Sequence, residues 1–313
     1  MTFFIGRNAR GYDLLGPAQL PSNPRLMHHW LFLLIALATA CAAPSRQAAV
    51  SENWQQRLRS GENVYVEGQT FAAAIDLTEL LPRHPLGPGL RQVKTGASLT
   101  FVNCRFLGRV TAFNKQEDGR RVLTTVLGSV SFVDCEFREP VSFRGSTLLG
   151  TVDFSGSCFL ADATFEEASF RGNAYFQNCH FYGTLRFQNA FFHQRASFMK
   201  TQFEQTTSFQ QATFQGAAQF SVTRFEGYAD FSLLHCADKV LFNYSWFHDR
   251  CTFASAYFGR EADFLNVDFT AATFRNGTFL GVARFHESTA AQPVDFDSCF
   301  FLRGAPAPES LQA

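Results

Sequence analysis

The chain has 313 residues, room for one large domain or two small ones. Its 27 Lys+Arg balance 27 Asp+Glu, only 17% of residues are charged and 46% are hydrophobic. That excludes a disordered polyelectrolyte and leaves no basic excess for gripping nucleic acid. The outlier is phenylalanine, with 38 residues against 7 Tyr, 3 Trp and 3 Met, which implies one aromatic environment built many times over.

Residues 1–26 contain Pro17, Pro21 and Pro24 and no periodicity, and are read as a misassigned or disordered leader, with Met27 as the expected start. Trp30–Ala40 (WLFLLIALATA) is an unbroken apolar run of eleven. A bilayer span takes about 20 apolar residues, so residues 27–40 are read instead as a signal peptide. Ala38-Thr39-Ala40-Cys41, followed by Ala42, Ala43 and Pro44, resembles the lipobox of bacterial lipoproteins, although Ala38 stands where Leu is usual. The resemblance implies lipidation at Cys41, a membrane anchor and a place in the bacterial cell envelope. An ordinary secretory cut near Ala40 is the alternative.

Residues 41–63 are read as a linker and a short helix. Val50, Trp54 and Leu58 stand four apart within Gln47–Arg59, and Gly61 ends the pattern. This helix is expected to cap a repeat array that starts near Val64 and runs to residue 302. Val66, Phe71 and Leu77 give its first steps of five and six. The Pro/Gly-rich stretch 82–98 is expected to be a loop. Phe101 and Phe106 resume the beat, and 108–127 is expected to be a hairpin turning near Asp118-Gly119.

The array becomes regular at 130. From Phe132 to Phe301 steps of five and six alternate, and 29 of 32 ladder positions are Phe; Leu148, Cys236 and Ala290 fill the rest. Two residues before each ladder position stands an uncharged, non-aromatic residue, such as Val130, Val152, Ala174 or Ala196. Residues two apart share a face of an extended segment, so each segment buries a small–x–Phe pair and then turns. Two irregularities stand out. Phe269, Phe274 and Phe279 are separated by two fives, so one residue is missing near 270–273 and a local flattening is expected. Ala290 lies just before Pro293, which predicts a weakly packed last coil.

This pattern resembles the pentapeptide-repeat family in its Phe-rich form. The resemblance implies an all-β, right-handed quadrilateral β-helix, with the ladder residues and their small partners pointing inward. Four sides of alternating five and six residues make a 22-residue coil. The 170 regular residues then give about 7.7 coils, or a rod of roughly 37 Å at about 4.8 Å per coil. Phe132, Phe154, Phe176, Phe198, Phe220, Phe242 and Phe264 form one expected column of rings, and Phe165, Phe187 and Phe209 belong to another. Residues 303–313, with Pro306 and Pro308, are expected to be a disordered tail. The C-terminal end has no obvious cap, which suggests a homodimer through that end.

No motif for catalysis, metal or cofactor is read from the chain. The eight cysteines are at least fifteen residues apart. Most occupy inner small positions and are read as buried hydrophobes. Cys158 is expected to face outward beside His180, a pairing weighed as nucleophile or half a metal site. His193, His235, His248 and His286 fall in different columns. Asp295-x-Asp297 is weighed as an acid/base pair and read as solvated charge. The sequence is therefore read as a non-enzymatic scaffold or protein-interaction module, partnered by the membrane and an unidentified protein, with no cofactor and no nucleic acid. A DNA-mimic topoisomerase-interacting protein is the first alternative: residues 130–301 carry 18 Asp+Glu against 12 Lys+Arg. A carbohydrate-active β-helix enzyme is the second.

Overall fold

The computed structural model describes residues 54–115 and 119–305 and the backbone of Leu311–Gln312. All lie in the second of two compact units, Ala43–Ala313. The readings of the leader, the signal peptide, Cys41, Val50 and Asp118 fall outside the described residues.

The described unit is an all-β parallel solenoid with 22 residues per regular coil: Val152 pairs with Ala174, and Ala174 with Ala196. Each coil has four sides. On the first, ten two- to four-residue strands stack from Val64–Glu67 to Ala283–Arg284. The second and third sides share one 18-stranded sheet, and the fourth side belongs to a 12-stranded sheet. Such short strands survive because each is hydrogen-bonded to the coils above and below.

The alternation of five and six has a backbone cause. In each five-residue step of the regular array except the shortened Phe269–Phe274, the chain turns through a residue with positive φ, recurring every eleven positions at Gly145, Gly156, Glu167, Asn178 and Asn189. At Phe143–Ser146 the Ser146 N–H donates to the Phe143 carbonyl at 3.1 Å, closing the turn. A turn with its third residue left-handed favours Gly or Asn there. The six-residue steps bend more openly, without a positive-φ residue. One extra residue therefore reports a different corner.

Inside, the rings stack along the axis and meet edge-to-face across it. Phe176 lies parallel to Phe198 at 5.1 Å, and Phe198 to Phe220 at 4.8 Å. The neighbouring column crosses this one nearly at right angles, with Phe198 and Phe209 5.1 Å apart at 83°. This is the geometry that the ring quadrupole favours. The first column extends beyond the regular array, from Phe101 under Phe132 to Phe285 over Phe264.

The small inner residues differ by side. On the first side they are Val152, Ala174, Ala196 and Ala218; on the second they are Ser157, Cys179, Thr201, Thr223 and Ser245. The second-side groups donate to phenylalanine carbonyls 25 residues back: Ser157 to Phe132 at 2.6 Å, Cys179 to Phe154 at 3.0 Å, Thr201 to Phe176 at 2.5 Å and Thr223 to Phe198 at 3.1 Å. A buried hydroxyl without such a partner would carry a desolvation cost. On the second side the polar small residues are therefore placed where the turn carbonyls can receive them.

The first two coils are longer. Val64 pairs with Leu99, 35 residues on, and Leu99 with Val130, 31 residues on. Against a 22-residue coil the excess is 13 (35 − 22) and 9 (31 − 22) residues. Both insertions form hairpins at the fourth side. The stretch 82–98 is not a loop: Arg83–Gly87 pairs antiparallel with Leu90–Thr95, which itself pairs parallel with Arg121–Val126. Val93 and Thr95 supply the inward pair there without any Phe to announce it. The second insertion pairs Phe113–Lys115 antiparallel with Arg121–Val126.

Helix α1, Trp54–Ser60, lies at the N-terminal end with Trp54 and Leu58 buried. It closes with Gly61 at φ +80, where Gly61 N–H donates to Leu58 O and Glu62 N–H to Arg57 O, a Schellman ending. Helix α2, Leu77–Leu80, is one turn capped by Asp76.

At the missing residue the corner between the second and third sides opens into continuous strands. Trp246–Thr252 pairs with Asp268–Thr273, and the register slips between Phe247 and Arg250. In the last coil Val294, Phe296 and Phe301 are only half-buried, and Phe300 and Leu302 are exposed. The expected tail is not wholly unpaired, because Leu311–Gln312 aligns in parallel with Ser288–Thr289.

Candidate functional site

The second side carries the most chemically varied outward column. Pairing register stacks Arg105, Glu136, Cys158, His180, Gln202, Arg224, Trp246 and Asp268 in successive coils. Glu136 is buried and held by Arg105 at 3.3 Å and Arg138 at 2.6 Å. His180 Nε2 lies 2.5 Å from Glu204 Oε1, and its ring stacks on Tyr182 at 3.9 Å. Arg224 covers the Trp246 ring at 5.2 Å, and His248 Nδ1 lies 2.5 Å from Glu226 Oε2.

Cys158 corrects the sequence reading. Its side chain points outward from the ladder, yet the residue is only 4% exposed. Glu136 and His180 stand in register with it in the coils on either side. Glu204 is the member that sequence reasoning missed. It follows the ladder residue Phe203, so it sits beside the column and 24 residues from His180. Cys158, His180 and Glu204 thus lie in order up one face. A carboxylate-held imidazole beside a thiol is a nucleophile's retinue, but the covered sulfur leaves a substrate no approach in this conformation.

The other candidates remain apart. His193 packs on Phe191 at 4.2 Å, and its pKa is lowered, chiefly by burial. His235 stacks on Tyr257 at 4.5 Å. His286 faces Glu287 at 3.5 Å. Among the described residues no three His, Cys, Asp or Glu side chains converge as metal ligands. Asp295 accepts the Asp297 N–H at 2.9 Å, which chiefly holds its carboxyl below the usual range, and it also meets Thr273 and Arg275. Asp153, Asp230 and Asp263 cap their own turns in the same way. At these four positions, on the first and third sides, the aspartate just before a ladder residue is a turn cap, which the sequence pattern alone does not reveal.

One groove of about 380 Å³ lies on the third side where the corner opens. Tyr228, Arg250 and Pro293 border a floor of Ala271 and Ala272. Cys251 beneath it is sealed, and burial raises its pKa well above the ordinary thiol value.

Residues 123–169 and 165–212 match a sequence profile described as pentapeptide repeats in 9 copies. This stretch is similar to a pentapeptide-repeat array. No curated protein matches the chain, and no solved structure does. The eleven-residue beat of the pentapeptide repeats continues beyond the match to Phe301.

Proposed function

We propose that the chain is a non-enzymatic scaffold or protein-interaction module, exported and anchored at a bacterial membrane by a lipid on Cys41. A pentapeptide-repeat β-solenoid fits a scaffold or interaction role. The observation that carries the reading is how the outward side chains are used. They cap turns, as Asp153 and Asp230 do, or pair with the next coil, as Arg186 does with Asp162 and Arg260 with Asp238. Such columns stiffen a surface and offer it to a partner. Arginines also interleave with the acids, as at Arg144 between Glu166 and Glu167, so the faces lack the one-signed charge a DNA mimic would present.

The address rests on the sequence of Trp30–Cys41. Two acyl signals or more are needed for firm anchoring, and a lipidated N-terminal Cys supplies several chains. The test is incorporation of a labelled fatty acid in a bacterial host, combined with fractionation. The wild-type chain is expected to carry label and sediment with membranes, and Cys41→Ala to lose the label at least tenfold. A wild-type chain that is unlabelled and soluble would overturn the anchor and revive the cytoplasmic alternative.

A further inference from the structure

Seven cysteines lie among the described residues. Their spacings hide one close pair. Cys104 and Cys135 are 31 residues apart, which in a 22-residue coil would place them out of register. The inserted hairpin lengthens that coil, and the pairing brings them level. Val102 aligns with Val133 and Arg105 with Glu136, so Cys104 stands opposite Cys135 in adjacent coils. Backbone bonds clamp both flanks, from Asn103 N–H to Val133 O at 3.0 Å and from Glu136 N–H to Cys104 O at 2.9 Å.

Both side chains point inward and each residue is 2% exposed. Each sulfur lies over the carbonyl two residues before it, Cys104 at 3.3 Å from Val102 O and Cys135 at 3.4 Å from Val133 O. The two side chains therefore share one orientation. Paired strands put Cα atoms about 4.8 Å apart, inside the roughly 4.4–6.8 Å that a disulfide spans. The other inner cysteines have no such neighbour: Ser157 lies between Cys135 and Cys179, and Cys251 is flanked by Ala229 and Ala272.

We propose that Cys104 and Cys135 form a disulfide when the chain folds in the presence of a disulfide oxidant, fastening the hairpin-bearing second coil to the first regular one. One thiolate attacks the oxidant's disulfide, forms a mixed disulfide and expels a thiol. The second thiolate attacks the bound cysteine sulfur, closes the intramolecular bond and expels the second thiol. The cysteines together lose two electrons and two protons, and the oxidant gains both. The reaction precedes closure of the core, which then shields the bond from reductant. The proposal stands whether or not the chain is exported, because the test supplies the oxidant.

The full-length chain is refolded with glutathione disulfide or with reduced glutathione, alkylated, and mapped by non-reducing proteolysis and mass spectrometry. The expected result is a peptide pair linking Cys104 to Cys135, lighter by two hydrogens, found only after oxidation. The linked chain should melt about 5–10 °C higher than the reduced one. Cys104→Ala and Cys135→Ala should each lose both the link and the shift; Ala is tolerated at inner positions such as Ala174. Separate alkylation or glutathionylation of the two sulfurs in the oxidised wild type would overturn the proposal, as would linkage of either to another cysteine. The wild-type map decides even if a variant fails to fold.

Discussion

Phe198→Ala is expected to lower stability by about 4–5 kcal/mol, the upper part of the range for truncating a buried aromatic ring. Phe198 is fully buried. It stacks on Phe176 and Phe220 and meets Phe187, Phe192 and Phe209 edge-to-face. Its neighbours are fixed by backbone pairing on every side, so they cannot collapse into the cavity. In a solenoid each coil is held only by its neighbours, and a hole in mid-array weakens the coupling of both halves. Phe198→Asp should abolish folding, because the surrounding phenylalanine rings offer a buried carboxylate no hydrogen bond. Gln210→Asp, on an exposed position twelve residues further on, should change stability by less than about 0.5 kcal/mol. The check is denaturant unfolding followed by circular dichroism. Equal sensitivity at positions 198 and 210 would contradict the inward and outward assignment.

Trp54→Ala carries the second large expectation, a loss of about 3–5 kcal/mol. The indole closes the N-terminal end of the aromatic column, 5.9 Å from Phe71 and 5.8 Å from Phe101, edge-on to both. It is anchored by α1, whose other buried residue is Leu58. Solenoid ends expose unpaired strand edges and open core, and a cap shields both. The variant should therefore lose protection locally as well as globally. Hydrogen exchange should accelerate first at Val64–Glu67 and Thr70–Phe71 and least near Phe198. A variant with unchanged exchange in those strands would show that α1 is not a cap.

The ladder was legible because one residue type marks it. Phenylalanine two places after a small residue gave the inward face, the 22-residue coil and the ring columns. Legibility ended where the same role passed to other residues. Val93 and Thr95, and then Val122, Thr124 and Val126, line the fourth side of the first two coils without any Phe. The first stretch therefore looked like a proline-rich loop. The lengthened second coil also concealed that Cys104 and Cys135 are level. The flattened corner was readable from two successive fives, because a missing residue leaves a trace in the spacing itself.

The candidate site was less legible, for a different reason. Outward alternation predicts where a side chain starts, not what lies over it. Cys158 starts outward and is nonetheless buried, with Glu136 and His180 in register one coil to either side. Glu204 joins His180 from a position 24 residues away, a contact set by coil stacking and side-chain length. Asp295, which the sequence leaves as a solvated charge, caps its own turn.

The central claim is that residues 22 apart stack in parallel register. Thr147, Ser169, Phe191, Thr213 and His235 should then climb one face, coil by coil. The direct measurement is the distance between nitroxide labels placed at positions 147 and 235 through non-cysteine chemistry, read by pulsed electron spin resonance. Four coils at about 4.8 Å each predict a narrow distribution near 19 Å. A broad distribution centred at roughly 50 Å, as a flexible segment of that length would give, would contradict the account.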